Sequence, residues 1–326
     1  MNLKTHYNIN HENKKANEIV KKPLLKASII LSNYNGIAFL KNCLSHLVAQ
    51  TYGNYEIVFI DAGSTDGSAD FVEGNFPEIK TIRCGRIGIG EAINIGIGAS
   101  SGEIIVFDVN TDEYVVSTWL EELVKHLKQH DYNIVSGPVR LIYGTELIDE
   151  AGVNIDIWGR AKKLGHMIPI DTFKFIDESV DYVGAPAFHK KVLEKIGMID
   201  EDYFIYAEDL DFCYRAKKAG YQTYVAPMAR SYHHIRGTLG RNHKRLEYYL
   251  RRANIRYQIL HSPICKLIPA LLYFTLFLPL TALILTLIPN ERSKIYRQKF
   301  SGRMKAIKWN IENLKKKLQP KPRVTY

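Results

Sequence analysis

The sequence predicts an α/β fold: a mainly parallel, doubly wound sheet with helices on both faces. Three observations predict it. Between residues 26 and 130, short apolar β-prone runs alternate with stretches of helical periodicity. Two of those runs finish on acids, at Asp61 and around Asp108–Asp112, and doubly wound sheets bind ligands beyond the carboxyl ends of their strands. A chain of 326 residues with 46% apolar side chains holds one large α/β domain plus an appendage, or two modest domains.

"ASIILSNYN" is the first strand, closed by turn residues. "GIAFLKNCLSHLVAQ" follows with helical spacing at Leu40, Cys43, Leu44, Leu47 and Val48. "YEIVFIDAG" is the second strand, "SADFVEGNF" a short helix and "IKTIRCG" the third strand. "GEAINIGIGAS" is a helix of small residues, "EIIVFDVN" the fourth strand and "TWLEELVKHLKQH" an amphipathic helix. Residues 135–180 are less regular, and their Gly-punctuated runs predict strands or long loops laid over the sheet. "KKVLEKIGMIDEDYF" reads as helix then loop. "EDLDFCYRAKKAG" is a helix opened by acids, with Lys217 and Lys218 in its last turn as the dipole favours. "YQTYVAP" is the final strand.

Charge is unevenly distributed. Twelve Lys and Arg against Glu291 and Glu312 put the entire net +10 into residues 290–326, leaving the rest balanced. Basicity is thus a property of the tail, and nucleic-acid binding by the main domain is disfavoured. Cys43, Cys84, Cys213 and Cys265 form no CxxC pair and read as reduced thiols. Residues 1–24 are polar, lack the apolar core of a signal peptide and are expected to form a mobile arm, leaving any catalytic portion in the cytoplasm.

No charge occurs between Lys266 and Glu291, and about 20 apolar residues suffice to cross a bilayer. Pro269 and Pro279 break the run, and both flanks are basic, which a simple single span does not fit. The expectation is a re-entrant or in-plane segment over 267–289. A basic helix over 294–318 follows, with Tyr296, Phe300, Met304, Ile307, Ile311, Leu314 and Leu318 at spacings of four and three. That is the pattern of a helix lying on an anionic leaflet, with a plain solvated helix as the alternative.

Four features carry candidate chemistry. Asp61 ends a strand, where a turn or helix cap is the bland explanation; the following "AGSTDGS" offers other capping groups, Ser64 among them. "DVNTDE" carries oxygen ligands two residues apart that can face one hard cation, and a charged surface turn explains it equally well. Glu208, Asp209 and Asp211 crowd a helix start; dipole matching is the commoner reason, yet a carboxylate there can serve as a base. His233 and His234 follow the final strand, and side chains of adjacent extended residues point opposite ways, so at most one joins the acids. A dinucleotide fingerprint at Gly88-x-Gly90 fails, because its third glycine position is Ile93.

Taken in order, these features resemble the family-2 glycosyltransferases of the GT-A fold, over about 27–240. "ASIILSNYNG", "FIDAGSTDGS", "GIGEAINIGIGASSGEIIVFDVNTD" and "GAPAFHKKVLEKIGMIDEDYFIYAEDLDFCYRAKKAGYQTYVAPMARSYHH" carry the likeness. The resemblance is to the non-processive, rhamnosyltransferase-like subgroup, since "RRANIRYQIL" holds no Gln-x-x-Arg-Trp element. It implies that Ser32, Tyr34, Asp61, Ser64, Asn94 and Asn110 contact a nucleotide-sugar donor. It implies that Asp112, with His233 and Asp108, holds Mn²⁺ or Mg²⁺ at the diphosphate. Asp209 would be the base that deprotonates the acceptor hydroxyl, with Glu208 orienting the acceptor. Asn110 stands where the family places an aspartate, which removes one charge from the metal site. One base without a nucleophilic carboxylate favours direct displacement with inversion.

The reading is therefore a GT-A catalytic domain over 25–240 and a membrane-associating region over 241–326. It would move a hexose or deoxyhexose onto a lipid-linked or cell-surface polysaccharide acceptor at the cell membrane, on its cytoplasmic side. The rivals are a nucleotidyltransferase with a similar acidic metal site and an inactive membrane scaffold.

Overall fold

The computed structural model describes residues 24–234, 243–287 and 292–314. The arm expected over 1–24 lies outside them except for Leu24, as do the ends of the apolar run and of the basic helix.

The first half follows the predicted alternation. β1 (Ala27–Asn33), α1 (Ile37–Leu47), β2 (Tyr55–Asp61), α2 (Ser68–Asn75), β3 (Lys80–Arg83), α3 (Ile89–Ala99) and β4 (Ile104–Val109) come in that order. β5 (Glu113–Val115) and α4 (Trp119–Gln129) lead to β6 (Ile134–Ile142), β7 (Ile148–Glu150), β8 (Val153–Ile155) and β9 (Ala161–Lys163). Then come β10 (Ala187–His189), α5 (Lys191–Ile196), α6 (Glu208–Lys218) and β11 (Gln222–His233).

The main sheet has nine strands, in the order β3-β2-β1-β4-β10-β6-β11-β5, with β7 on β6. β3, β2, β1 and β4 pair in parallel, as expected. The other half is mixed, because β10, β7 and β5 run antiparallel to their neighbours. The expectation for 135–180 needs correction at its start: β6 is no overlay but a buried strand inside the sheet. Its apolar run was read as irregular because Gly137 and Pro138 interrupt it; Gly137 is required where Val183 crosses, since a Cβ there would overlap the valine side chain. β11 also runs beyond the predicted "YQTYVAP" to His233, because it pairs with β6 past a register shift and then with β5.

Alternate residues of each strand feed two cores. Ile29, Leu31, Phe59 and Val106 pack under α1 and α4, where Leu40, Cys43, Leu44, Trp119, Leu123 and Leu127 are buried. Ile30, Val58, Ile60, Ile105 and Phe107 pack on the other face against α3, α5 and α6. Cys43 and Cys213 are buried, Cys265 is exposed, and all four cysteines are free thiols.

Among the described residues after 242, the chain is mostly helical. α7 (His243–His261) is followed by α8 (Ile264–Leu272), a π-turn over Tyr273–Phe277, α9 (Leu278–Leu287) and finally α10 (Ser293–Glu312). Pro269 and Pro279 do not break the apolar run as expected. They sit within one continuous 24-residue helix over Ile264–Leu287, with the π-turn between them. α10 lies along α7 with Gly302, Arg303, Ala306 and Asn310 inward, while Met304, Ile311 and Leu314 are exposed.

Candidate active site

All strands that point the same way as β1 end on one edge of the sheet. That edge gathers Asn33, Asp61, the loop after β4, the turn after β6, and His233 at the end of β11. β10 runs the other way, so the Gly184–Ala185 segment before it arrives at the same edge.

One wall is made by the ends of β1 and β2, where Asn33 pairs with Asp61. Asp61 is buried; it accepts hydrogen bonds from Asn33 Nδ2 at 3.1 Å and from the Ser64 backbone N–H at 3.0 Å. Ser64 Oγ accepts from Asn33 Nδ2 and from the Asn35 N–H. Asp61 thus does hold its own turn, the bland role the sequence discounted. The helix-capping work falls to Asp66, which accepts from the Ile37 N–H at the start of α1 and from Ser68. Ser32 is half-buried beside them, and exposed Tyr34 carries the Arg86 guanidinium 3.6 Å above its ring. Gly36 lets this wall meet the next one. A Cβ there would overlap Asn33 Oδ1 and stand 2.7 Å from Thr111 Oγ1. Asn94 lies further back: both ends of its amide bond the 199–201 loop, through Ile199 and Glu201.

The second wall starts in the loop after β4. Asn110 is half-buried, and its carbonyl accepts from the Glu113 N–H. Asp108 lies in β4, and its side chain is outside the described set. Asp112 is buried, with Oδ1 3.7 Å from His233 Nε2. Burial pushes its carboxyl above the usual range, against the pull of His233. His233 Nδ1 lies 3.2 Å from Asp149 Oδ2, and Asp149 Oδ1 accepts from Lys163 Nζ at 2.7 Å. Burial works to raise the Asp149 carboxyl, but His233 and Lys163 outweigh it and hold it well below the ordinary range. His234 turns away and stacks on Tyr143 with ring centroids 3.8 Å apart. The sequence did not single out Asp149; it stood in the weakly patterned 135–180 stretch, in an Asp-Glu pair between the buried Ile148 and Ala151.

Glu113 turns inward from the same loop. It is buried, receives Arg140 Nε at 3.0 Å and bonds Ser231, so it is a structural ion pair rather than a free ligand. Arg140 passes close over Gly184, where a Cβ would overlap Nη1. The Gly184 N–H donates to Glu150 Oε1 at 3.1 Å. These charges surround Asp209. Burial, then the charge of Glu150, pushes its carboxyl up to about 7, against the pull of Arg140 and the Leu210 N–H. Glu208, its neighbour, is buried. Asp211 is bound elsewhere, 2.7 Å from Arg215 and 2.6 Å from His261 of α7. Tyr206 and Ala207, just before the acids, have φ of 72° and 64°, and Ala185 has 46°. Such left-handed non-glycine backbone concentrates at sites where the surroundings enforce it.

The family model described as glycosyl transferase family 2 matches residues 28–197. The chain belongs to that family. Among its curated relatives, an uncharacterized glycosyltransferase of Nostoc sp. is 30% identical over 54% of this chain and 54% of its own length. An uncharacterized glycosyltransferase of Haemophilus influenzae is 24% identical over 72% of this chain and 77% of its own. Glycosyltransferase GlyG of Streptococcus pneumoniae aligns over 38% of its length, so the chain spans about half or less of the first relatives it matches. Among solved structures, GalNAc-T7 with UDP, GalNAc and Mn²⁺ superposes with a TM-score of 0.60 at 17% identity, over 89% of this chain and 58% of that one. The mannosyltransferase PcManGT of Pyrobaculum calidifontis, with GDP-Man and Mn²⁺, gives 0.56 at 16%, over 90% and 91%. The fold is thereby the GT-A fold of family-2 members.

Whether the residues fit a metal is a matter of spacing. Two ligands each about 2.1 Å from one cation stand about 3 to 4 Å apart. The pair Asp112 and His233, at 3.7 Å, meets that spacing, and its carboxylate is the ligand type that suits Mn²⁺ or Mg²⁺. Among the described residues no three His, Cys, Asp or Glu side chains form a metal-holding group, so their share of a coordination shell is this pair.

Proposed function

We propose that this family-2 protein transfers a single sugar from a nucleotide donor to a hydroxyl of a lipid-linked or cell-surface glycan, with inversion at the anomeric carbon. The observation that carries the reading is Asp209, a carboxyl raised to about 7 on the acceptor side of the donor wall. A base whose pKa sits near working pH is both deprotonated and able to take a proton. The acceptor oxygen bonds to the anomeric carbon while the bond from that carbon to the diphosphate breaks, and the hydroxyl proton passes to Asp209. Glu208 and Glu150 shape the acceptor side. Asp61, Ser32, Ser64, Tyr34 and Asn110 line the nucleotide side, and Asn94 steadies the loop behind it. Mn²⁺ or Mg²⁺, held by Asp112 and His233 with Asp108 nearby, would supply charge neutralisation at the leaving diphosphate. Asp149 holds His233 in orientation for that task.

In this reading residues 25–240 form the catalytic unit, and 241–326 attach it to the cytoplasmic face of the cell membrane. The helix Ile264–Leu287 exposes Ile264, Ile268, Leu272, Leu276, Phe277 and Leu287, each more than half, while Ala270, Phe274 and Ala282 pack inward. One face occupied by protein and the other apolar and open suits a helix lying in the membrane plane.

The test is a panel of UDP-, GDP- and dTDP-sugars with purified protein and Mn²⁺ or Mg²⁺, with and without membrane lipid extract. Metal-dependent release of nucleoside diphosphate with one donor is expected; release with none, from folded protein, overturns the reading.

A further inference from the structure

α7 and α10 enclose a cleft of about 500 Å³, lined by Lys244, Arg245, Tyr249, Lys305, Lys308 and Trp309 among others. Its four cations face a single acid, Glu312. On each helix the lining residues recur at spacings of three and four, so two ladders of long side chains face each other. The helices meet at Gly302, where a Cβ would overlap Lys244 O and stand 3.1 Å from Tyr248 N. α10 touches the apolar helix through Ile307 and through Arg303, which binds Leu278 O. Those positions lie on the opposite side of α10 from Lys305 and Trp309, so the cleft faces away from the apolar helix.

The cleft adjoins the loop that delivers Glu208 and Asp209. Tyr249 stacks on Phe204 with ring centroids 5.2 Å apart. Arg252 donates to Asp202 O at 2.7 Å, and its guanidinium lies 3.7 Å above the Trp309 ring. The Phe204 ring is also 5.1 Å from the Arg86 guanidinium, which covers Tyr34 at 3.6 Å. A row of stacked groups therefore runs from the first wall, past the base-bearing loop, into the cleft. We propose that the cleft binds an anionic stretch of the acceptor glycan, one bearing phosphate or carboxylate. The inference rests on the transferase reading above and narrows its acceptor to a charged one. Lysine and arginine donors converging from two helices match the oxygens of either anion, and Tyr249 and Trp309 offer flat apolar faces on which sugar rings stack. The chain's own ends do not complement these cations: residues 1–23 carry five lysines against two glutamates, and 315–326 carry five Lys and Arg with no acid.

The experiment uses the full chain with Trp158→Phe, so that Trp309 emission reports on the cleft, at constant ionic strength. The probes are dextran phosphate, carboxymethyl dextran, neutral dextran and inorganic phosphate. A saturable change is expected with at least one anionic dextran, and binding about tenfold weaker or worse with neutral dextran and with inorganic phosphate. Lys305→Gln with Lys308→Gln should weaken the anionic dextran about tenfold, since two exposed charge pairs are lost. Lys128→Gln with Lys174→Gln, an equal charge change elsewhere on the catalytic unit, should shift it less than about twofold. With the donor found by the nucleotide-sugar panel, the same dextran should compete with membrane glycan extract for transfer and leave acceptor-free donor hydrolysis unchanged. The site is overturned, with the transferase reading still standing, by any of four results: no binding of either anionic dextran, equal losses in the two double variants, equal binding of neutral dextran or inorganic phosphate, or inhibition of donor hydrolysis. Dextran binding by a protein that releases nucleoside diphosphate from no donor removes the transferase reading, and the acceptor assignment with it.

Discussion

On the wall made by the ends of β1 and β2, Asp61 is held by Asn33 on the adjoining strand and by Ser64 three residues on, all uncharged partners. On the second wall, Asp112, Asp149, Glu113, Glu150 and Asp209 are held by His233, Lys163 and Arg140, drawn from across 120 residues of chain. The first wall is a local turn that two strand ends assemble. The second is a charge network whose burial and neighbouring charges shift Asp112, Asp149 and Asp209. A neutral, local wall should yield modest, separable losses on mutation; a buried charged one should yield large and coupled losses.

The largest effect is expected at Asp209. With Asp209 as the proposed base, Asp209→Asn should lower kcat about 10² to 10⁴-fold with the fold intact, measured as nucleoside diphosphate release beside a circular dichroism melt. The wild-type rate should rise with pH through about 7 and lose that inflection in the variant. Stability should run the other way. Folded Asp209 keeps its proton above the ordinary carboxylate value near 4, so its contribution is full below about pH 4 and lost as pH rises through 7. Asp149, held low, contributes above about pH 4 and loses that contribution as pH falls below it.

Next comes Arg140→Ala, which leaves buried Glu113 without its ion pair and should cost about 3 to 5 kcal/mol in urea unfolding. Asp149→Asn keeps the shape but weakens the hold on His233; apparent Mn²⁺ affinity should fall about 10 to 100-fold, read by titration calorimetry. Smallest is Asp61→Asn, expected to raise the donor KM roughly tenfold with little change in kcat, because one charged hydrogen-bond acceptor is lost from a turn that otherwise persists. Should Asp61→Asn prove as damaging as Arg140→Ala, the contrast between the two walls fails.

The parallel half of the sheet was legible because its strands and helices alternate with clean period, and each segment's partner is its neighbour in sequence. The second half was harder. β6 carries Gly137 and Pro138, and β11 changes neighbours part-way along, so neither shows a clean run. Of the acids singled out by motif, Asp61, Asp112 and Asp209 do lie at one edge, and the choice between His233 and His234 had to wait for the pleat to be seen. Asp149, Glu150 and Arg140 gave no local signal, since a buried charge is recognisable only when its partner is known. Asn94 illustrates the reverse case: a motif residue whose amide goes to the loop behind the site.

The sequence alone determined which segments bury their faces, where strands stop on acids, and that the basic charge and the long apolar run belong to the C-terminal region. These follow from period, hydropathy and turn chemistry, which act over a few residues. Only the tertiary structure decided which carboxylates share a field, that the prolines sit within one continuous helix, and that α10 turns its small and polar face inward. Those outcomes depend on separations of 30 to 120 residues closing to a few ångströms, and a one-dimensional pattern holds no term for that distance.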